Sequence, residues 1–148
     1  GAPAARAPGQ GPQACCEDPE WEEICGMIAV EVLCLLPEGR PRWSNACDPA
    51  ADPIAAVAFV VRPRLCQLGG RRLRPPDRRG AVVLEGGGEW APELGEVHCE
   101  GSEAALLGRL VQLVRAADPD VCLGWELRGR SWGYIHARAR ALGLSDLR

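Results

Sequence analysis

Apolar and polar residues alternate in blocks along this chain, and the blocks predict strands over much of its length. Residues 24–36, ICGMIAVEVLCLL, and residues 54–61, IAAVAFVV, are rich in aliphatic and β-branched side chains and predict two strands of a sheet. Shorter apolar runs predict strands at residues 81–84 and 96–99. A last run, residues 121–123, has the length expected of a strand buried on both faces.

A helical period is clearest in residues 103–116. Ser102 is placed to cap the first turn, and the negative charge of Glu103 complements the positive end of the helix dipole. One face of this helix is an apolar stripe made of Leu106, Leu107, Leu110, Leu113 and Val114.

A second helix is predicted to begin near Trp132, with the Ser131 hydroxyl accepting a hydrogen bond from its first turn. Ile135, Ala139 and Leu142 recur at helical spacing, and Arg138 and Arg140 are predicted to lie on other faces. Strands followed by helix, strand and helix predict an α/β fold with a mixed sheet and helices packed on it.

The 148 residues have a formal net charge of −3, so a contact with nucleic acid must come from a local basic patch. Eight cysteines are present without any C-x₂-C pair, which argues against a zinc site and for a reduced, intracellular protein. Residues 1–20 are rich in Ala, Pro and Gly and predict a disordered linker, whereas residues 21–148 predict a folded unit. No apolar run reaches the roughly 18 residues of a membrane span.

Two features of the strand region are candidates for chemistry. Glu31 interrupts the first apolar strand, where a buried carboxylate is costly unless it is paired, binds a metal or faces an open cleft. Residues 62–80 predict a loop that carries five arginines, for which two interpretations remain open. They bind phosphate groups of a nucleic acid, or they solvate the tip of a hairpin, and the second is favoured; they are Arg71, Arg72, Arg74, Arg78 and Arg79.

Residues 118–142, DPDVCLGWELRGRSWGYIHARARAL, resemble the second exonuclease motif region of family B DNA polymerases, which typically reads DPDxxxGYNxxxFDxPYL. Glu126 stands where that pattern has asparagine, and Ser131 stands where it has aspartate. The sequence Ala29-Val30-Glu31 lies where the family's first motif has Asp-x-Glu, and residues 52–54, Asp-Pro-Ile, resemble the entry to its next strand.

This resemblance implies a degenerate and incomplete ribonuclease H-like 3′–5′ exonuclease domain over residues 21–148. Active members hold two divalent ions with several carboxylates. With Ala29 and Ser131 at two of those positions, and the third motif absent or beyond Arg148, Glu31 is left alone among them. We therefore expect no catalytic residue and no metal or other cofactor in this segment, and a hydrogen bond from Ser131 or a backbone N–H to Glu31.

The resemblance further implies that the chain is a fragment of a nuclear translesion DNA polymerase that acts in DNA replication and repair. Such a parent would carry out DNA-directed DNA synthesis with Mg²⁺, and its partners would be DNA and accessory subunits. No polymerase active-site motif occurs in the 148 residues, so the segment itself is expected to act as a scaffold. Two alternatives remain: an active exonuclease with rearranged ligands, for example Glu31, Glu126 and Asp120, or a stand-alone truncated interaction module.

Overall fold

A five-stranded mixed sheet with two helices on one face is the centre of the fold. The computed structural model describes residues 25–35, 47–68, 70–86, 95–127 and 130–144, so the predicted linker and the outermost residues of the first predicted strand lie outside it. The elements are β1 (Met27–Cys34), β2 (Ile54–Arg62), β3 (Cys66–Leu68), β4 (Arg71–Leu73), β5 (Arg78–Leu84), β6 (Glu96–Glu100), α1 (Glu103–Ala117), β7 (Val121–Leu123) and α2 (Trp132–Ala141). The prediction of an α/β fold with a mixed sheet is confirmed, and this architecture is consistent with a ribonuclease H-like fold.

The strands of the sheet follow the order β6-β5-β2-β1-β7, and β3 and β4 form a separate two-stranded hairpin. The pairs β1–β2 and β2–β5 are antiparallel, whereas β1–β7 and β5–β6 are parallel. Parallel neighbours need a crossover connection. For β1 and β7 that crossover carries the rest of the sheet and α1, which brings two segments more than 90 residues apart side by side.

The two faces of β1 differ because successive side chains of a strand point to opposite sides. Ile28, Val30 and Val32 face the helices and are buried, whereas Glu31 and Leu33 face the other side and are exposed. The buried set continues into β2, β5 and both helices as one apolar cluster. The helices thus cover one face of the sheet, and the opposite face keeps exposed apolar residues, among them Leu33, Val60, Val97 and Leu123.

The strand β7 differs from its prediction. It was expected to be buried on both faces, but Leu123 is 44% exposed and Cys122 is also exposed. The reason is position: within the described part of the chain β7 is an outermost strand that pairs with β1 alone. A short apolar run therefore predicted the strand correctly but could not predict its place in the sheet.

The helix α1 agrees closely with its prediction. The Ser102 hydroxyl accepts a hydrogen bond from the Ala105 N–H at 3.2 Å, and the helix ends at Asp118 in a left-handed conformation with φ of 41°. The four leucines of the predicted stripe are buried, with Val114 partly buried beside them. Burial of that stripe, rather than intrinsic propensity, supplies most of the stability of such a helix.

Three expectations for α2 are wrong, although its start at Trp132 is confirmed. The Ser131 hydroxyl makes no capping bond, because it is directed to β1 instead. Leu142 is exposed, because it lies just past the last helical residue. Arg138, expected on an outer face, is only 8% exposed.

The Arg138 side chain is buried because it joins α2 to α1 and to the start of β2. Its Nε and Nη2 atoms donate to the two carboxylate oxygens of Glu103 at 2.8 and 2.9 Å, and Nη1 donates to the carbonyl oxygen of Pro49 at 3.0 Å. The Glu103 carboxylate also accepts from the Ile54 N–H at 2.7 Å. The hydrogen bonds to Glu103 raise the pKa of Arg138 above its usual value. Glu103 therefore does more than complement the helix dipole.

The arginine-rich segment, predicted as a loop, contains parts of two strands, β4 and β5. Arg71 and Arg72 belong to the exposed strand β4, in agreement with the interpretation of a solvated hairpin. Arg78 and Arg79 do not lie in a loop, because β5 starts three residues earlier than predicted, at Arg78. None of the described helices is both long and apolar enough to cross a membrane.

We predict that Arg138→Ala lowers the free energy of unfolding by about 3–5 kcal/mol, because it leaves the Glu103 carboxylate buried without its ion-pair partner. Urea unfolding followed by circular dichroism measures the change. Arg140→Ala, at an exposed position two residues along the same helix, is the matched control and should change stability by less than about 0.5 kcal/mol. Equal effects of the two variants would contradict the role given to the buried pair.

Candidate functional site

The positions that resemble the first exonuclease motif lie on the open face of the sheet. Ala29 and Glu31 are two residues apart in β1, so their side chains point to the same side, away from the helices. They line a shallow groove of about 290 Å³ whose other wall includes Val60 of β2 and Arg79 of β5. The carboxylate of Glu31 is exposed and faces this groove, which agrees with the open-cleft alternative among the three given for it. Successive side chains of β1 alternate between the core and solvent, and Glu31 is on the solvent side.

Glu31 is held by the segment that follows β7. Its Oε1 atom accepts a hydrogen bond from the backbone N–H of Trp125 at 2.8 Å, which confirms the expectation of a backbone partner. The next residue, Glu126, is exposed and has a left-handed backbone with φ of 52°. Its carboxylate is 3.8 Å from Nε of Arg130. Glu31 and Glu126 thus each have a partner in the protein.

Ser131, at the position of the second motif's aspartate, is completely buried. Its hydroxyl donates to the backbone carbonyl oxygen of Val30 at 3.3 Å. A Cβ atom on Gly124 would lie 1.7 Å from the Ser131 Oγ atom and 3.3 Å from the same carbonyl oxygen. This close approach therefore requires glycine at position 124. Gly124 and Ser131 together fill the space beside β1.

Backbone hydrogen bonds fix the rest of the segment between β7 and α2. The Val32 N–H donates to the Arg130 carbonyl oxygen at 2.8 Å, and the Gly133 N–H donates to the Leu127 carbonyl oxygen at 2.7 Å. The Trp132 indole N–H donates to the carbonyl oxygen of Leu123 at 2.7 Å. The described residues of this segment are therefore positioned by protein atoms alone.

Asp120 cannot share a ligand with Glu31. Its carboxylate accepts hydrogen bonds from the Gly26 N–H at 2.8 Å and from Arg64 Nε at 2.9 Å. The bond from Gly26, together with the pair to Arg64, lowers the pKa of Asp120. Gly26 lies five residues before Glu31, about 16 Å along an extended strand. Asp120 thus lies near the start of β1, and Glu31 lies in the middle of the strand.

The described residues do not fit a two-metal centre. Two divalent ions about 4 Å apart need several carboxylate oxygens that converge on them. At the three corresponding positions the described chain has the methyl group of Ala29, the hydrogen-bonded carboxylate of Glu31 and the buried hydroxyl of Ser131. In the described ranges no group of three or more His, Cys, Asp or Glu side chains is close enough to hold a metal.

The five candidate arginines do not form one patch. Arg78 is engaged by a bidentate pair with Glu96, with both bonds at 2.8 Å, and this pair lowers the pKa of Glu96. Arg74 is partly buried. Arg71 and Arg72 are exposed on the hairpin, and Arg79 is exposed at the groove beside Ala29; these three are the ones that solvent reaches most readily.

Comparison with known proteins identifies the class of domain in the second part of the chain. Residues 88–148 match the family model for the DNA polymerase family B exonuclease domain. That range contains β6, α1, β7 and α2, and therefore Gly124, Glu126 and Ser131. The resemblance to this family is thus confirmed for this part of the chain.

Individual relatives point to one member of the family. A stretch of 49 residues is 39% identical to the DNA polymerase zeta catalytic subunit of Homo sapiens, and the same holds for that of Mus musculus. The match covers 33% of this chain and 2% of each of those proteins. The chain therefore corresponds to a small part of the relatives that it matches.

Several residues that shape the site were missed in the sequence. Gly124 was not among the candidate residues, although the family pattern also has glycine there, and this shared glycine was the available signal. Asp120 was considered only as one ligand of a rearranged site, and the structure adds its pair with Arg64. No feature of the sequence could identify the Trp125 N–H as the partner of Glu31, because every residue except proline has a backbone N–H.

We predict that Gly124→Ala destabilises the protein by about 2–4 kcal/mol, because the new methyl group overlaps the Ser131 hydroxyl. Gly108→Ala is the matched control: nothing lies within 4 Å of its Cβ position in α1, so it should stabilise by about 0.5–1 kcal/mol. Chemical denaturation measures both. Removing the Ser131 side chain with Ser131→Gly should recover part of the loss in the Gly124→Ala background, and full additivity of the two changes would refute the contact.

Proposed function

We propose that this chain is a non-catalytic, exonuclease-like part of the catalytic subunit of a translesion DNA polymerase that resembles polymerase zeta. The observation that supports this best is the set of three positions on and beside β1. Ala29 has no ligand atom, Glu31 is bound to the Trp125 N–H, and Ser131 is buried against Val30. One remaining carboxylate is too few for the two-ion chemistry of proofreading nucleases.

The parent protein, in this proposal, carries out DNA-directed DNA synthesis past lesions in the nucleus. Mg²⁺ would act at the polymerase centre of that parent, and DNA and accessory subunits would be its partners. The match to the polymerase zeta catalytic subunit supports these assignments, and it extends over 2% of that relative. The segment described here contributes shape rather than chemistry.

A scaffold role agrees with the way the former motif positions are used. In a metal-dependent nuclease, carboxylates near β1 converge on ions, and the ions neutralise them. Here Trp125, Ser131 and Trp132 bind β1 and β7 by direct hydrogen bonds. The connection between β7 and α2 is thus held without an ion, so loss of the metal site need not cost the fold.

An active exonuclease with rearranged ligands is not supported by the geometry. Glu31 lies in the middle of β1 and is bound by the N–H of Trp125, the residue before Glu126. Asp120 instead lies near the start of β1 and is paired with Arg64. Any activity would therefore need a ligand set other than these three.

Within the scaffold, we assign contact with the DNA backbone to the exposed arginines Arg71, Arg72 and Arg79. The guanidinium group suits bidentate phosphate contacts. Arg78 is left out of this set because two of its three guanidinium nitrogens, Nε and Nη2, donate to the carboxylate of Glu96. The net charge of −3 means that any such contact is local rather than a property of the whole surface.

We predict that the purified chain does not cleave a 3′-recessed, end-labelled DNA duplex in the presence of Mg²⁺ or Mn²⁺. The released nucleotides are measured by gel electrophoresis, with a proofreading family B polymerase as the positive control. Glu31→Ala serves as the control for contaminating nuclease, and its background should equal that of the unchanged protein. Cleavage that depends on Glu31 and is abolished by a chelator would overturn the proposal.

We predict that the double variant Arg71→Ala/Arg72→Ala binds DNA more weakly and with a shallower salt dependence. Two lost phosphate contacts reduce the slope of log affinity against log salt concentration by about 1.5. Fluorescence anisotropy with a labelled primer–template at several salt concentrations measures this. The matched control is Arg109→Ala/Arg140→Ala, which removes the same charge from the two helices. A slope that changes equally in both double variants would show that only total charge matters.

A further inference from the structure

Two cysteines that are not among the motif positions come together at the end of β1. Cys34 is the last residue of β1 and is opposite Ile54 in the ladder with β2. Cys47 directly precedes the turn that leads into β2. Both side chains are partly buried and pack against the same apolar cluster, and both are free thiols.

Backbone contacts explain why these two side chains meet. The Leu35 N–H donates to the Pro53 carbonyl oxygen at 2.8 Å, which holds the end of β1 beside the residue that precedes β2. The turn after Cys47 is closed by the Asp48 N–H, which donates to the Asp52 carboxylate at 2.8 Å, and by the Asp52 N–H, which donates to the Asp48 carbonyl oxygen at 2.7 Å. Cys47 is thereby brought to the end of β1.

The hydroxyl of Tyr134 completes the arrangement. This residue of α2 is fully buried, and its hydroxyl donates to the Asp52 carbonyl oxygen at 2.6 Å. Burial raises the pKa of Cys34, and the nearby Tyr134 hydroxyl and Cys47 thiol also act on it. Cys34 and Cys47 are therefore brought together at the end of β1, beside the turn before β2 and the Tyr134 side chain of α2.

The other described cysteines are placed differently. Cys25 is partly buried and lies before β1, at the opposite end of that strand from Cys34. Cys66, Cys99 and Cys122 are exposed, and Cys99 and Cys122 lie in the two outermost strands of the five-stranded sheet. Each is open to reagents but far from the pair at the end of β1. A selective intramolecular reaction is therefore expected at Cys34 and Cys47 and not at these exposed thiols.

We propose that Cys34 and Cys47 form a disulfide by exchange with a low-molecular-weight disulfide such as oxidised glutathione. One protein thiol loses its proton and attacks a sulfur atom of the small disulfide, which gives a mixed disulfide and one small thiol. The second protein thiol loses its proton and attacks the protein-bound sulfur, and a second small thiol leaves. Two protein thiols are oxidised and one small disulfide is reduced, so electrons and protons balance.

The cross-link would join the end of β1 to the turn before β2. It would close a loop of 14 residues counted from Cys34 to Cys47 inclusive, and a loop of this length restricts the unfolded chain substantially. Burial raises the pKa of Cys34 to about 12, so this thiol stays protonated at neutral pH. Exchange is therefore expected over minutes to hours, because the thiolate is the reacting form.

The test uses the whole reduced chain under native conditions. It is incubated with oxidised glutathione, the remaining thiols are alkylated, and the protein is digested with trypsin and a glutamate-specific protease. These enzymes give residues 32–38, with Cys34 as the single cysteine, and residues 43–64, with Cys47 as the single cysteine. We expect these two peptides to be linked, with a mass two hydrogens below their sum. Both peptides recovered alkylated while Cys66, Cys99 or Cys122 carries glutathione would overturn the proposal.

A second readout is thermal stability. The oxidised chain should melt about 5–10 °C above the reduced chain, because the closed loop lowers the entropy of the unfolded state. Cys47→Ser should abolish both the linked peptide and this shift, whereas Cys66→Ser should retain both. A shift that persists in Cys47→Ser would assign it to another pair and refute the assignment.

Discussion

The close approach of Gly124 and Ser131 at the edge of β1 is the contact on which the candidate site depends. The Ser131 hydroxyl reaches the Val30 carbonyl oxygen only because residue 124 has no side chain. This approach brings the start of α2 against β1, and the nearby backbone then completes the Glu31–Trp125 and Val32–Arg130 hydrogen bonds. A small hydroxyl is compatible with this packing. An aspartate at position 131 would add atoms and a charge where Ser131 is completely buried.

Loss of metal ligands and retention of the fold are therefore compatible. A catalytic carboxylate cluster is costly to fold without its ions, because like charges are held close together. Replacing such charges with a methyl group at Ala29 and a hydroxyl at Ser131 removes that repulsion. The carboxylate of Glu31, on the same face of β1 as Ala29, is stabilised by a backbone donor. The open face of the sheet can then be apolar in places and still carry the exposed charges of Glu31 and Arg79.

Buried polar contacts elsewhere serve the same structural purpose. The Arg138–Glu103 pair joins the two helices and also satisfies the Ile54 N–H at the start of β2. Tyr134 satisfies a carbonyl oxygen of the turn before β2 from within the core. Each of these groups is buried together with its partners, which is the condition under which a polar group is tolerated in a core. A few specific hydrogen bonds within the apolar cluster thus fix the positions of the two helices on the sheet.

The sequence by itself determined the elements that depend on local pattern. The leucine stripe and the Ser102 cap predicted α1, the aliphatic runs predicted β1 and β2, and the residues after Asp118 carried the family resemblance. These features depend on neighbours along the chain, so they can be identified without a fold.

Only the tertiary structure decided which face of β1 carries Glu31 and that Arg138 is buried. It also decided that Ser131 binds β1 rather than capping α2, and that Asp120 lies beside the start of β1, away from Glu31. Strand order and side-chain partners are set by residues distant in the sequence: Trp125 meets Glu31 across 94 positions. A local pattern contains no information about such a pairing, because many chain folds satisfy the same pattern and only packing selects one of them.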